Sequence, residues 1–252
     1  MIAADNLQVM NPAVAKGLAE LDPYPLQELA RRCEQAGAQL LDLNPGYLPP
    51  RREDRMAFMV EAVQAVTGLR LLLDSPSARV LARGLAACEH PPILNACTLE
   101  AAKLREILPL AAAHDTDLVL LLLDKRSFPP PSLEGKVAVA LGLREAALAA
   151  GVKEERLIFD PVLPNLSWPD AWLQVQEVVK AVRLLGTGAL WGGSAATMAG
   201  LSNLRSGLRA AYPLEVEEVC LALLAGAGLT YALADVLQEG FMDTVKLIKQ
   251  MS

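Results

Sequence analysis

Eight short apolar runs alternate along this chain with longer amphipathic segments, and each run is followed at once by a carboxylate or an amide. The runs are Ile2–Ala4, Gln39–Leu43, Leu69–Leu73, Pro92–Leu94, Leu118–Leu123, Leu157–Phe159, Ala196–Leu201 and Thr230–Ala234. Each is too short for a helix and is apolar at successive positions, which fits a parallel strand covered on both faces. The segments between them predict helices over Pro23–Ala36, Arg52–Val66, Ala78–Cys88, Leu99–Ala113, Leu133–Ala150, Pro169–Leu185, Leu214–Ala225 and Val236–Met251. Asn11-Pro12 reads as an N-cap followed by proline at a first helical position, and Gly37 and Gly151 stand where helices end on glycine. Strict βα alternation leaves a closed (β/α)8 barrel or a doubly wound sheet. The 252 residues match the ~250 of one TIM barrel. No linker or low-complexity stretch divides them, so one domain over 1–252 is expected.

Composition narrows the partners. Apolar residues make up 53% of the chain but aromatics only 4%, so the core must be built from Ala, Leu and Val. A net charge of −6 gives no electrostatic footprint for nucleic acid or an anionic membrane. The longest uncharged apolar run, between Glu218 and Asp235, is interrupted by Gly226 and Gly228 and reads as a buried helix, a turn and a strand. The opening MIAADNLQVM lacks the basic and apolar regions of a signal peptide. Cys33, Cys88, Cys97 and Cys220 form no CxxC pair and read as reduced thiols, so a cytoplasmic protein is expected.

The strand ends carry the chemistry. They read Asp5-Asn6, Asp42 and Asn44, Asp74, Asn95, Asp124, Asp160, Asn203 and Asp235, at a spacing of about 33 residues, the pace of βα units round a barrel. Polar side chains at these ends face the site of a barrel enzyme, although any one of them is as readily a cap or turn residue. His90 and His114 both fall near helix ends, so neither a histidine metal site nor a serine–histidine nucleophile is expected. No GxSxG, Walker or GxGxxG motif follows a strand, and Gly192-Gly193 reads as a turn. Cys97 is expected to be a small packing residue. What remains, acids and amides round an apolar mouth, suits a flat heterocycle rich in amino and amide groups, such as a pterin, held without metal.

The segments LDPYPLQELARRCEQAGAQLLDLNPG (Leu21–Gly46), LLLDS (Leu71–Ser75), ILNACT (Ile93–Thr98), LIFDPVLP (Leu157–Pro164) and AGLSN (Ala199–Asn203) carry a resemblance. In this order and spacing the chain resembles the methyltetrahydrofolate:corrinoid protein methyltransferases, pterin-binding barrels related in fold to dihydropteroate synthase. The resemblance implies that Asp74, Asn95 and Asp160 hold the pterin ring, that Asn203 lies beside N5, which bears the methyl group, and that Gly200 and Ser202 line the same pocket. It implies methyltetrahydrofolate as substrate and transfer of its methyl to Co(I) of a corrinoid carried by a partner, a corrinoid/iron–sulfur protein or one serving a demethylase system, where transfer runs in reverse. A homodimer is implied as well. The chain departs from the pattern at Ala4-Asp5-Asn6-Leu7-Gln8, where the family has a GERIN-like motif, and at Asp124-Lys125, where it commonly has Asn-Lys. Arg205 and Arg209 follow GLSN, each either meeting the glutamate tail of folate or lying solvated. The proline-rich Ser127–Ser132 loop reads as a spacer. Two alternatives stand beside this reading: dihydropteroate synthase, which needs basic residues near the last strands, and a non-catalytic pterin-binding or corrinoid-docking subunit.

Overall fold

Strand β1 (Ile2–Gln8) pairs in parallel with β2 (Leu40–Asn44) on one side and with β8 (Tyr231–Ala234) on the other, which leaves the sheet no free edge. In this computed structural model, which describes residues 1–251, the strands β3 (Arg70–Asp74), β4 (Ile93–Cys97), β5 (Asp117–Leu121), β6 (Leu157–Asp160) and β7 (Ala196–Gly200) complete a closed all-parallel barrel in sequence order. Every expected apolar run lies on one of these strands. The chain is therefore a single (β/α)8 barrel.

Helices α1 (Pro12–Glu20), α2 (Tyr24–Ala36), α3 (Asp54–Gln64), α4 (Ala78–Ala87), α5 (Ala101–His114), α6 (Leu133–Ala149), α7 (Ala171–Gly186), α8 (Ser202–Arg205), α9 (Glu215–Gly226) and α10 (Phe241–Met251) surround it. None of the helices among the described residues is long and apolar enough to cross a membrane. The Asn11-Pro12 signal does open a helix, with the Asn11 carboxamide accepting from the Ala13 N–H at 3.0 Å, and Gly37 and Gly151 take the left-handed backbone expected of them. The last helix starts later than its apolar periodicity predicts. Asp235 accepts from the Leu237 N–H and Gly240 sits at φ +85°, so the segment after β8 is a turn before it is a helix.

Two-residue periodicity sorts the strand side chains. Leu40, Leu72, Ile93, Ile158 and Met198 fill the barrel interior, apart from the larger core between strands and helices. One step further along the same strands the inward positions are Asp42, Asp74, Asn95, Asp160 and Gly200, so that the packed lumen gives way to a polar mouth. At the other end Arg70 pairs with Asp117 at 2.7 Å and Arg156 with the second oxygen of Asp117 at 3.1 Å, closing the floor with charge.

The segment after β7 is locked from behind. Arg205, 3% exposed, bonds Glu217 on α9 at 2.8 Å, the Tyr212 carbonyl and Gln238. This corrects both readings of Arg205 offered by the sequence, since it is neither solvated nor at the mouth. Glu217 is itself only 1% exposed, and its carboxyl is pushed up by burial and held down by Arg205. Arg205→Met should lower the unfolding free energy by about 3–5 kcal/mol by leaving that acid buried without its partner. Urea denaturation measures it, and Arg205→Met/Glu217→Met together should cost less than Arg205→Met alone.

Candidate active site

A cavity of about 330 Å³ opens at the carboxyl ends of the strands. It gathers Asp5 from β1, Asp42 and Asn44 from β2, Asp74 from β3, Asn95 from β4, Asp160 from β6, Gly200 from β7, and Ser202 and Asn203 from α8. Nine of the sequence candidates thus share one space. A larger hollow of about 680 Å³ lies at the opposite end, but its chief polar side chain, Arg70, is already bonded to Asp117 and to the Pro91 and Pro92 carbonyls. Barrel chemistry sits at the carboxyl end, and the free polar groups are there too.

The acids are held by few donors. Asn44 donates to Asp74 at 2.8 Å while its own oxygen accepts from the Gly46 N–H at 2.9 Å. Asp160 accepts from the Val162 N–H at 2.8 Å. One oxygen of Asp5 and one of Asp42 are buried with no hydrogen-bond partner. Such orphans are expensive inside a protein, and a site that keeps two of them side by side is shaped to receive a donor-rich ligand.

Burial raises every one of these acids. Asp5 is pushed up to about 6 against a hydrogen bond from Ser202, and Asp235 pushes it further. Asp42, 3% exposed, is raised well above the usual range by burial and then by Asp74 and Asp5. Asp74 is pushed up to about 6 by burial, against the Asn44 bond and the charge of Lys103. Asp160 is pushed up to about 7 by burial, against the Val162 N–H and the charge of Lys136.

Asn203 stands at the rim. Its carbonyl oxygen is bonded by the Asn165 carboxamide at 3.0 Å, which fixes the backbone of α8, while its own carboxamide has no partner among the described residues. The side chain lies over Gly200, where an added Cβ would come within 3.2 Å of its Nδ2. Glycine at 200 is what lets the amide lean into the cavity.

The other candidates are placed elsewhere. Asn6 and Asp235 bond each other across the β1–β8 seam, with Asn6 also accepting from the Val236 N–H at 3.1 Å. They line a second cavity of about 520 Å³ together with Arg209, and it shares Asp5, Gln8, Ser202 and Asn203 with the first. Arg209 pairs with Asp235 at 3.3 Å. Asp124 and Lys125 do not reach the mouth. Strand β5 ends at Leu121, and Asp124 caps the turn beyond it by accepting from the Arg126 and Phe128 N–H groups at 2.8 and 3.0 Å. Lys125 is exposed on that turn. Cys97 is buried in the core, with its thiol pushed up to about 12 by burial, as suits a packing residue.

Sequence reasoning missed Lys103, on the first turn of α5, which lines the cavity beside Asp74. A lysine early in a helix reads as a surface residue, and only the closeness of α5 to β3 and β4 brings it to the mouth. Gln8, which borders both cavities, was also missed because β1 runs past its apolar start.

The raised acids set the pH response of the empty protein. Between about pH 4 and 7 the folded chain binds more protons than the unfolded one, so stability must fall as pH rises through that window and then level off. The melting temperature should be higher at pH 5 than at pH 8. Asp42→Asn, which deletes the deepest of these charges, should reduce the decline and melt above the parent at pH 8.

Comparison with known proteins bears on the same residues. A family model described as pterin binding enzyme matches residues 12–234. Among solved structures, the dihydropteroate synthase of Thermus thermophilus, in complex with 6HMPPP, is 20% identical with a TM-score of 0.69, over 100% of this chain and 93% of that one. That of Xanthomonas albilineans, with 4-aminobenzoic acid, is 18% identical with a TM-score of 0.71, over 99% of this chain and 90% of that one. That of Yersinia pestis, with a pterine–sulfa conjugate, is 17% identical with a TM-score of 0.69, over 99% and 92%. At these identities the likeness is one of fold.

Proposed function

The chain belongs to the pterin-binding enzymes, and on that footing we propose that it moves a methyl group between N5 of methyltetrahydrofolate and the Co(I) corrinoid of a partner protein. The observation that carries the reading is the unengaged carboxamide of Asn203, leaning over Gly200 into a cavity whose other polar groups are acids and Asn95.

A reduced pterin has an amino group and a ring N–H side by side. One carboxylate accepts both, and a buried carboxylate without donors gains most from doing so. Asp74 and Asp160, from strands on opposite sides of Asn95, would hold the ring, with Asn95 donating to or accepting from its amide edge. Asp42 and Asp5 would lie beneath it, with burial favouring the protonated, donating form of Asp42 and the unpartnered oxygen of Asp5 left to accept. Transfer breaks the bond between N5 and the methyl carbon, leaves on N5 the electron pair that takes up a proton from solvent to give tetrahydrofolate, and forms the cobalt–carbon bond with the pair supplied by Co(I). N5 therefore becomes more negative as the methyl departs. Asn203 would donate a hydrogen bond there, stabilising the transition state more than the ground state without giving up a proton of its own. Fixing the ring against Asp74, Asn95 and Asp160 holds the methyl in line for attack.

Because C6 adjoins N5, the benzoylglutamate tail would leave past Asn203 into the second cavity, where Arg209, paired with Asp235 at 3.3 Å, would have to turn from that acid to meet the tail's carboxylates. The partner, a corrinoid/iron–sulfur protein or one serving a demethylase system, would dock over the mouth, and a homodimer is part of the same proposal.

Dihydropteroate synthase is the second reading, supported by a fold shared with those enzymes over nearly the whole chain. Its diphosphate substrate calls for cations at the mouth. The two that line these cavities, Lys103 beside Asp74 and Arg209 tied to Asp235, already face acids.

Mixing the protein with methyltetrahydrofolate and a Co(I) corrinoid should produce methylcobalt absorbance. Pyrophosphate release from a pterin diphosphate and 4-aminobenzoate would favour the second reading, and folate binding with neither turnover would mark a non-catalytic subunit. Asn203→Ala should slow transfer by about 10²–10³-fold with little change in the dissociation constant for methyltetrahydrofolate. Arg209→Gln should weaken methyltetrahydrofolate but leave tail-less 5-methyltetrahydropterin unaffected, and equal weakening of both would remove Arg209 from the tail's path.

A further inference from the structure

Lys136 is one of the largest fully buried side chains among the described residues, 1% exposed, and it lies outside the cavity on the first turn of α6. The position is unfavourable twice over. Burial disfavours an ammonium, and the amino end of a helix repels a cation. An apolar side chain of similar length would avoid both costs, so the charge must act on something nearby.

Its ammonium donates to the Pro161 carbonyl at 2.7 Å, immediately after the end of β6. Two acids favour its charge from beyond ion-pair distance, Asp160 on β6 and Glu177 on α7. Glu177 is already engaged by Lys180 at 2.6 Å and by the Leu133 N–H at 2.9 Å. Asp160, by contrast, has the Val162 N–H as its one donor among the described residues. Between these anchors the backbone is strained. Val162, a β-branched residue, sits at φ +60°, a conformation that persists only where surroundings impose it. Lys136 grips the carbonyl at 161 from below while the Asp160 carboxylate grips the amide at 162 from above.

We propose that Lys136 is a positioning residue for the pterin site: pinned to the Pro161 carbonyl behind the strand end, its ammonium keeps Asp160 a carboxylate and fixes the 160–162 turn, so that Asp160 presents an acceptor pair to the ligand. This rests on the reading of Asp160 as a ring-holding residue. Burial pushes Asp160 up to about 7, with Lys136 the one charge opposing it, and lowers Lys136 to about 8, with Asp160 and Glu177 opposing that. Loss of the ammonium must raise Asp160 further, so the form that accepts from the ligand is depleted at neutral pH and returns only in alkali.

The test begins without ligand. In protein carrying 13C at the aspartate carboxyls, the Asp160 resonance is identified by its loss in Asp160→Asn, and its titration midpoint should move up by about one pH unit in Lys136→Met. Titration of tetrahydropterin should then show roughly ten-fold weaker binding at pH 7, with affinity returning to that of the parent near pH 9. Should Lys136→Met fail to fold, the reciprocal measurement serves. In Asp160→Asn with 13C-labelled lysine, the Lys136 midpoint should fall below its parent value. An unmoved Asp160 or Lys136 midpoint overturns the proposal, as does an affinity loss uniform across pH. If the parent itself binds no reduced pterin, the reading of the site fails while the carboxyl titrations still decide the linkage between the two residues.

Discussion

The cost of holding four aspartates in one small closed cavity governs the rest of this molecule. Asp5, Asp42, Asp74 and Asp160 converge at the mouth, and between them they have few donors. A lone ionised carboxylate is strongly disfavoured in such surroundings, and four of them repel one another as well. The closed sheet is what makes the arrangement tenable, because parallel pairing all round and the Arg70–Asp117–Arg156 floor leave the acids one side from which a donor-rich molecule can reach them. The site thus stores unfavourable free energy that a ligand with paired N–H groups would release, and such binding would be coupled to stability in the same residues.

The rigidity of the surrounding turns follows from that cost. Acids that are short of donors would relax towards solvent if their strand ends could move. Instead three of these places are tied from outside the cavity: the turn after β7 by Arg205 and Glu217 and by Asn165, the one after β6 by Lys136, and the β1–β8 seam by Asn6 and Asp235. The polar residues of the mouth therefore divide into those left free to meet a ligand and those used up in holding the first set in place.

The division explains which features could be read from the sequence. Inward parity at Asp42, Asp74, Asn95 and Asp160 is local information, two residues beyond an apolar interior position on a strand, and those assignments carried through to the cavity. The same logic failed at Asp124. The polar residue there follows a longer apolar run, the strand stops at Leu121, and the carboxylate caps a turn instead. It failed at Arg205 for another reason: its partners Glu217 and Gln238 are 12 and 33 residues away in the chain, so its burial is a property of packing that no local pattern encodes. Lys103 and Lys136 escaped notice in the same way. Each sits in the first turn of a helix, where lysine is ordinarily solvated, and each reaches the acids only because the helix packs behind a particular strand.

A shared barrel is compatible with more than one reaction, because holding a heterocycle and transforming it can fall to different strands. In the proposed reading, holding falls to the ends of β3, β4 and β6, whose acids and amide would match a pterin edge whatever bond is to be broken. Chemistry would then be decided at β7 and β8, beside the ring atoms that the proposal brings there. There this chain offers Ser202 and Asn203 over Gly200, and an Asp235 already joined to Asn6 and Arg209. A departing diphosphate would need positive charge at that place. A carboxamide is neutral and keeps its protons, so what it can do is donate to an atom that becomes negative as a bond to it breaks. Loss of a methyl group from a ring nitrogen makes that demand, which is why the proposed reading leans on the identity of residue 203 and not on the likeness of the fold.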